Sequence, residues 1–284
     1  MAGFSSYNDV DAAKLHTGVH YKTLTNAGAA RAWYDDTMMG GGSGRPSVPP
    51  QNLYASAPLA AAILNPKNGI RHHTYDPNSS EHLLEIVMNS NGGSEGTCTY
   101  FLCDYVLYYP FIDCDSTDLQ ELDNTVTLTR HTSGTGLRAM IVAQQAGSAN
   151  GTFTLSYTND SGVSGRTATG VVQAFAQPGQ VGLSGSLLAN QVDPFISLAE
   201  GDTGIRSVES IQWDVAPGGF CAIVLVKRIA AFTTAEAGGT MEQQYYTMLP
   251  EIHGEAYLGL MRQTAGAPSS GRYFFGQITT IKGT

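Results

Sequence analysis

Charge is scarce in this chain. Asp, Glu, Lys and Arg together make up 14% of its 284 residues, against roughly a quarter in ordinary soluble domains. What charge there is leans acidic, with a formal net charge of −9. No Lys/Arg cluster occurs, and wrapping a phosphate backbone needs concentrated cations that release counterions, so no nucleic-acid partner is expected. Long apolar runs are also missing. No window approaches the ~20 apolar residues of a membrane span, and the opening MAGFSSYNDV has neither the basic start nor the apolar run of a secretory signal. No membrane contact is expected, and the expected compartment is the cytosol. The four cysteines, Cys98, Cys103, Cys114 and Cys221, form no C-x-x-C pair and lie in apolar sequence. They read as small buried hydrophobes, not metal ligands or disulfide partners.

Signatures of catalysis are absent as well. There is no H-E-x-x-H and no Walker sequence, and GLSGS lacks the last glycine of a nucleophile elbow. The stretch RHHTYDPNSSEH, residues 71–82, has the residue types of a metal site without the spacing of one. Adjacent His72 and His73 point to opposite faces of an extended segment, and Pro77 separates them from His82. Asp76-Pro77-Asn78 reads instead as a polar turn. Asp113 and Asp115 flank Cys114 on one strand face, where a strand end or cap explains them better than acid–base catalysis. No metal, no cofactor and no catalytic residue is expected, and the chain is not expected to be an enzyme.

What the sequence has in abundance is glycine, 33 residues of it, and neutral polar and aromatic side chains, including 14 tyrosines. A neutral, aromatic-rich surface is the composition of interface cores, which are depleted of Lys, Glu and Asp. Residues 5–17 predict one short helix. From residue 18 to about 80, MMGGGSGRPSVPPQN and NPKNGIRHHTYDPNSS are too rich in Gly, Pro, Asn and Ser for regular elements and predict an extended arm. From residue 82 the period becomes two. HLLEIVMNS, TCTYFLCDYVLYY, NTVTLTR, LRAMIVAQQ, GTFTLSYTN, TATGVVQAFA, IRSVESIQWDV, CAIVLVKRI and GRYFFGQITTI are β-branched or aromatic runs separated by turn signals. STDLQELD and TMEQQYYTMLP predict two further short helices.

The fold class expected is therefore mainly β: an antiparallel β-sandwich, jelly-roll or immunoglobulin-like, over residues 81–284, preceded by a helix and arm over residues 1–80. Asn159-Asp160-Ser161-Gly162 predicts a hairpin turn, and a strand from Ile205 to Val215, a Pro217-Gly218-Gly219 turn and an apolar strand repeat the device. Ile223 and Leu225 on one face, with Val224 and Val226 on the other, predict burial on both sides.

YTNDSGVSGRT, LAEGDTGIRSVESIQW, YYPFIDCD and MAGFSSYNDV together resemble a group of structural proteins of tailed-bacteriophage virions. The resemblance touches the chain from beginning to end but includes no chemical signature. It implies a particle component, assembled in the host cytoplasm. Its partners would be the major capsid protein or other virion proteins and further copies of itself, most naturally in the role of a capsid decoration or cement protein. A tail or neck protein that binds or cleaves glycans is the alternative, with the 14 tyrosines, Trp33 and Trp213 as stacking platforms and Asp113 as an acid. The arm's apolar groups, Trp33, Tyr34, Leu53, Tyr54, Leu59 and Ile63, are costly to leave in water and are the expected interface with a neighbouring subunit.

Overall fold

A computed structural model describes residues 14–23, 28–36, 54–72, 80–90, 96–183, 193–234, 240–245 and 249–282. Fourteen strands account for most of them: β1 Lys14–Thr23, β2 Trp33–Asp35, β3 Ser80–Ser90, β4 Cys98–Asp113, β5 Gln120–Glu121, β6 Leu137–Ala143, β7 Gly151–Asn159, β8 Arg166–Val172, β9 Ile205–Val215, β10 Phe220–Thr233, β11 Thr240–Gln244, β12 Glu251–His253, β13 Leu258–Thr264 and β14 Tyr273–Lys282. The chain is an antiparallel, mainly β protein of packed sheets. The first sheet has the order β1-β14-β3-β11, with β12 also paired to β3; the second is β2-β13-β4-β10-β6; the third is β5-β9-β7-β8.

The second sheet is the middle of the molecule, and its two long strands explain why. Ile223 and Leu225 of β10 enter one core, against β7 and β9, while Val224 and Val226 enter another on the opposite face. All four are fully buried, as the unbroken apolar run requires. Register shifts between Leu225 and Val226 and between Arg228 and Ala230 then re-phase the ribbon against β4. Such bulges flip which parity faces which side. Tyr100 and Leu102 of β4, with Ala230 and Phe232 of β10, therefore enter a third core under the first sheet. That core lies on the same side as Leu107 and Tyr109, which pack under the third sheet. The first and third sheets thus share one face of the central ribbon, end to end.

Eight of the nine alternating runs are strands, and Ile205–Val215 is a strand over the span its alternation marks. The exception is NTVTLTR, residues 124–130, which is irregular; most of its side chains are exposed and only Arg130 at its end is buried. The turn at Asn159 is a hairpin between β7 and β8, with Asn159 Oδ1 accepting from the amides of Ser161 and Val163 and Gly162 at φ 80°. The Pro217-Gly218-Gly219 turn differs from expectation, because β9 and β10 lie in different sheets and the turn crosses between layers.

The short helices are corrected. Among the described residues the helical element is one 3₁₀ turn, Pro66–Asn68. Residues 14–17 of the first expected helix belong to β1, and the remainder lies outside the described residues. Ser116 accepts from the amide of Asp118 in a bend that leads to β5, and Thr240–Gln244 is β11, paired with β3. In all three places pairing to a neighbouring strand outweighs a local preference worth only tenths of a kcal/mol per residue.

The expected arm also contributes to the sheets. β1 pairs with β14 over ten residues, from Lys14 opposite Lys282 to Thr23 opposite Tyr273, and β2 pairs with β13. Residues 59–62 run along the edge of β4, where Ala62 and Tyr108 exchange both backbone hydrogen bonds. The expected turn at Asp76-Pro77-Asn78 lies outside the described residues.

Candidate functional site

Where the first and third sheets end against each other, the face of the central ribbon is left partly open. Asp104 of β4 and Lys227 of β10 stand directly opposite one another there. They line a cleft of about 520 Å³ together with His131, Arg228, Ile229, Pro250, Glu251 and His253. Asp104 is buried and its carboxylate is fully used. Arg130 donates to it through Nε at 2.8 Å and Nη2 at 2.6 Å, Tyr257 through its amide at 3.0 Å, and His131 Nε2 lies 3.2 Å away. Burial alone would raise the Asp104 pKa, but the hydrogen bonds from Arg130 and His131 outweigh it and hold the carboxyl below its ordinary value.

His131 sits in the left-handed region at φ 52°, a conformation that costs energy outside glycine and lets the loop deliver Arg130 and His131 to one carboxylate. The His131 and His253 rings meet edge to face at 6.2 Å. His253 Nδ1 accepts from the amide of Glu255, and burial, helped by the nearby Arg130 guanidinium, lowers its pKa. Among the described residues that line the cleft, none carries a hydroxyl or a thiol. What this arrangement does is fasten the loop of residues 122–136 to the seam between two sheets.

The histidines of residues 71–82 are dispersed. His72 is buried, with Nδ1 3.2 Å from Glu81 Oε1 and Nε2 2.9 Å from the Ala256 carbonyl. Thr280 donates to the other oxygen of Glu81. His82 Nδ1 lies 3.4 Å from the Leu249 carbonyl, and His73 lies outside the described residues. Among the described residues no group of three His, Cys, Asp or Glu side chains is placed to hold a metal ion. Asp113 and Asp115 fix a turn: Asp113 Oδ1 accepts from the amide of Asp115, and Asp115 Oδ1 from that of Gly219. All four cysteines are buried, and none forms a disulfide.

Three of the six expected interface residues are buried within their own chain. Trp33 is 1% exposed and Tyr54 0%, with Tyr34 also buried. Trp33 packs on Phe101 at 4.5 Å between ring centroids, and Tyr54 donates to Asp35 Oδ2 at 2.5 Å, beside Tyr105 on Oδ1 at 2.9 Å. Tyr34 flanks Arg262, which forks onto Asp36 with two hydrogen bonds of 3.0 Å and lies over the Phe274 ring. Leu59 and Ile63 are partly buried against the core under the third sheet. Leu53 lies outside the described residues. The aromatic groups that called for a neighbour find it inside their own chain.

Of the ten large apolar side chains exposed among the described residues, four share the outer side of the first sheet; the other six, Leu119, Val126, Val163, Val171, Val215 and Phe220, lie elsewhere. Alternation along β1 and β14 buries His20, Lys22, Phe274 and Ile278 inward and turns Leu15, Val19, Tyr273 and Phe275 outward, at 62%, 39%, 39% and 38% exposure. Tyr21 stacks on Tyr273 at 5.9 Å between centroids, and Thr17 meets Thr279 hydroxyl to hydroxyl. Gln277 completes this half of the face, opposite Val19 and uncharged like the others. Glutamates enter only further across, at Glu85 and Glu242 on β3 and β11.

No protein-family model matches the chain, and no curated protein matches it. Among solved structures it is similar to the VP2 protein of infectious bursal disease virus in derived T=1 particles, with 10% identity and a TM-score of 0.22 over 95% of this chain and 78% of that one. The VP2 subviral particle of the same virus gives 9% identity and a TM-score of 0.22 over 95% and 80% of the two chains. The virus's Gt strain gives 9% and 0.21 over 100% and 82%. Similarity this slight carries no argument about fold or role.

Proposed function

We propose that the chain is a structural component of a virus particle of the tailed-phage kind, acting as a capsid decoration or cement protein. Its partners are the major capsid protein and further copies of itself, and its place is the virion, assembled in the host cytoplasm. It has no catalytic role and needs no cofactor. The reading starts from the sequence resemblance carried by YTNDSGVSGRT, LAEGDTGIRSVESIQW and YYPFIDCD. The structural observation that supports it most is the uncharged, partly apolar β1–β14 half of the first sheet's outer face, presented by a scaffold that pairs buried charges such as Arg130 with Asp104 and Arg262 with Asp36. Exposed contiguous apolar surface on a folded chain marks contact with another macromolecule.

Trp33 and Trp213 are both buried, so neither offers a stacking platform to a glycan. The test is electron microscopy of purified particles together with a particle preparation lacking this chain. Density for the chain on the outside of the head, and heads that break at lower temperature without it, is the expected result. Its absence from purified particles, or density confined to the tail, would overturn the decoration role.

A further inference from the structure

We propose that the outer face of the first sheet is a homotypic contact, at which two copies of this chain pack sheet on sheet about a two-fold axis. The apolar side chains on that face are ordered by regular pairing, with β1 and β14 in register for ten residues without a bulge. They therefore form a regular row along β1 and β14, although Ile281, opposite Leu15, is buried and the β14–β3 pairing shifts register at Thr279–Thr280. With strands rising about 3.3 Å per residue and spaced about 4.8 Å apart, β1, β14, β3 and half of β11 project roughly 550 Å². Corrugation by side chains raises the accessible area toward the ~600 Å² per partner of the smallest specific interfaces.

Charge selects the occupant. The chain carries a formal −9, so two copies repel wherever like-signed surfaces meet, and a two-fold axis sets this face against itself, residue i meeting j and j meeting i. The β1–β14 half of this face brings only Leu15, Val19, Tyr21, Tyr273, Phe275 and neutral Thr and Gln to such a meeting. A partner steered by charge would need a signed patch there, and the face has none. Glu85 and Glu242 fall toward the opposite edge, where they form a wet rim. This contact extends the assembly reading by naming one partner and its surface, and it rests on that reading only for its setting in a particle.

Sedimentation of the full chain over roughly 1 to 100 μM tests it. The expected result is a mass that rises from 30.1 kDa toward twice that value, with Val19→Lys and Phe275→Lys each weakening the dimer at least about ten-fold. Both side chains face solvent in the single chain, so circular dichroism and melting temperature should stay unchanged, while Glu242→Gln at the rim should leave the dimer at least as tight. A wild-type chain that stays monomeric throughout, or a dimer indifferent to both lysines, overturns the proposal. A monomer taken up by particles in a Phe275-dependent way also overturns it, in favour of another virion protein on this face, and leaves the particle reading standing. A dimer that Phe275→Lys dissolves, formed by a chain absent from particles, upholds the contact and rejects the particle reading.

Discussion

Two side chains should write separate signatures into the pH dependence of stability. His20 is buried, its Nε2 has no hydrogen-bond partner among the described residues, and burial pushes its pKa down to about 4; the cations Lys22 and Arg262 add to this and Asp36 opposes it. The unfolded chain takes up that proton at the ordinary value of 6.5 and the folded chain does not. Stability from a neutral His20 is therefore complete above pH 6.5 and is lost as pH falls toward 4, a difference on the order of 3 kcal/mol. Asp202 is displaced to about 2 by hydrogen bonds from Arg166, Tyr157 and Asn159. Its contribution is present above the ordinary carboxylate value and disappears as pH falls through about 2. Urea midpoints measured from pH 8 to 2 should flatten between 6.5 and 4 in His20→Leu, and only below 4 in Asp202→Asn. Identical profiles for wild type and either variant would contradict the assignment. Asp104 was within reach of the sequence, as the only ionisable side chain besides cysteine and tyrosine in β4 before Asp113. Arg130 and His131 were not, because their approach depends on a positive φ that an ordinary threonine-rich run does not announce.

At the scale of elements, β1 depends on one close approach. A Cβ on Gly18 would stand 2.0 Å from the Arg71 carbonyl oxygen and 3.0 Å from Ile70 Cγ2. The first obstacle is backbone and cannot rotate away. Gly18→Ala should cost about 1–3 kcal/mol, the usual penalty of overpacking, and loosen β1 from β14. Hydrogen exchange should read this as faster amides across β1, with those of β7 and β9 unchanged; equal protection in both proteins would show that the crossing at Arg71 gives way. The strands that alternation reveals are those with one wet face, such as β7, whose burial alternates along its whole length. β13, LGLMRQT, is buried on both sides over five successive residues, and no period of two marks it. β1 and β11 were misread as helical because KLHT and TMEQQ suit a helix locally, and only β14 and β3, far away in sequence, decide otherwise.

For the molecule as a whole, the re-phased ribbon of β4 and β10 ties the first and third sheets into one cooperative unit. Opening either sheet would bare fully buried residues of the same two strands, from Tyr100 and Leu102 at one end to Ile223 and Leu225 at the other. Calorimetry should therefore give a single transition despite the length of the chain, where two resolved peaks would mean that the halves melt independently. The pairing of Lys14 with Lys282 has a mechanical consequence. The two ends of the described chain leave the body side by side, so tension drawing them apart peels β1 from β14 one hydrogen-bonded pair after another and loads none of the other strands at first. Pulled instead at β4 and β10 along their length, the same molecule must shear many pairs at once. Load applied through these two ends would thus unzip β1 at low force, while load entering through the central ribbon would be borne.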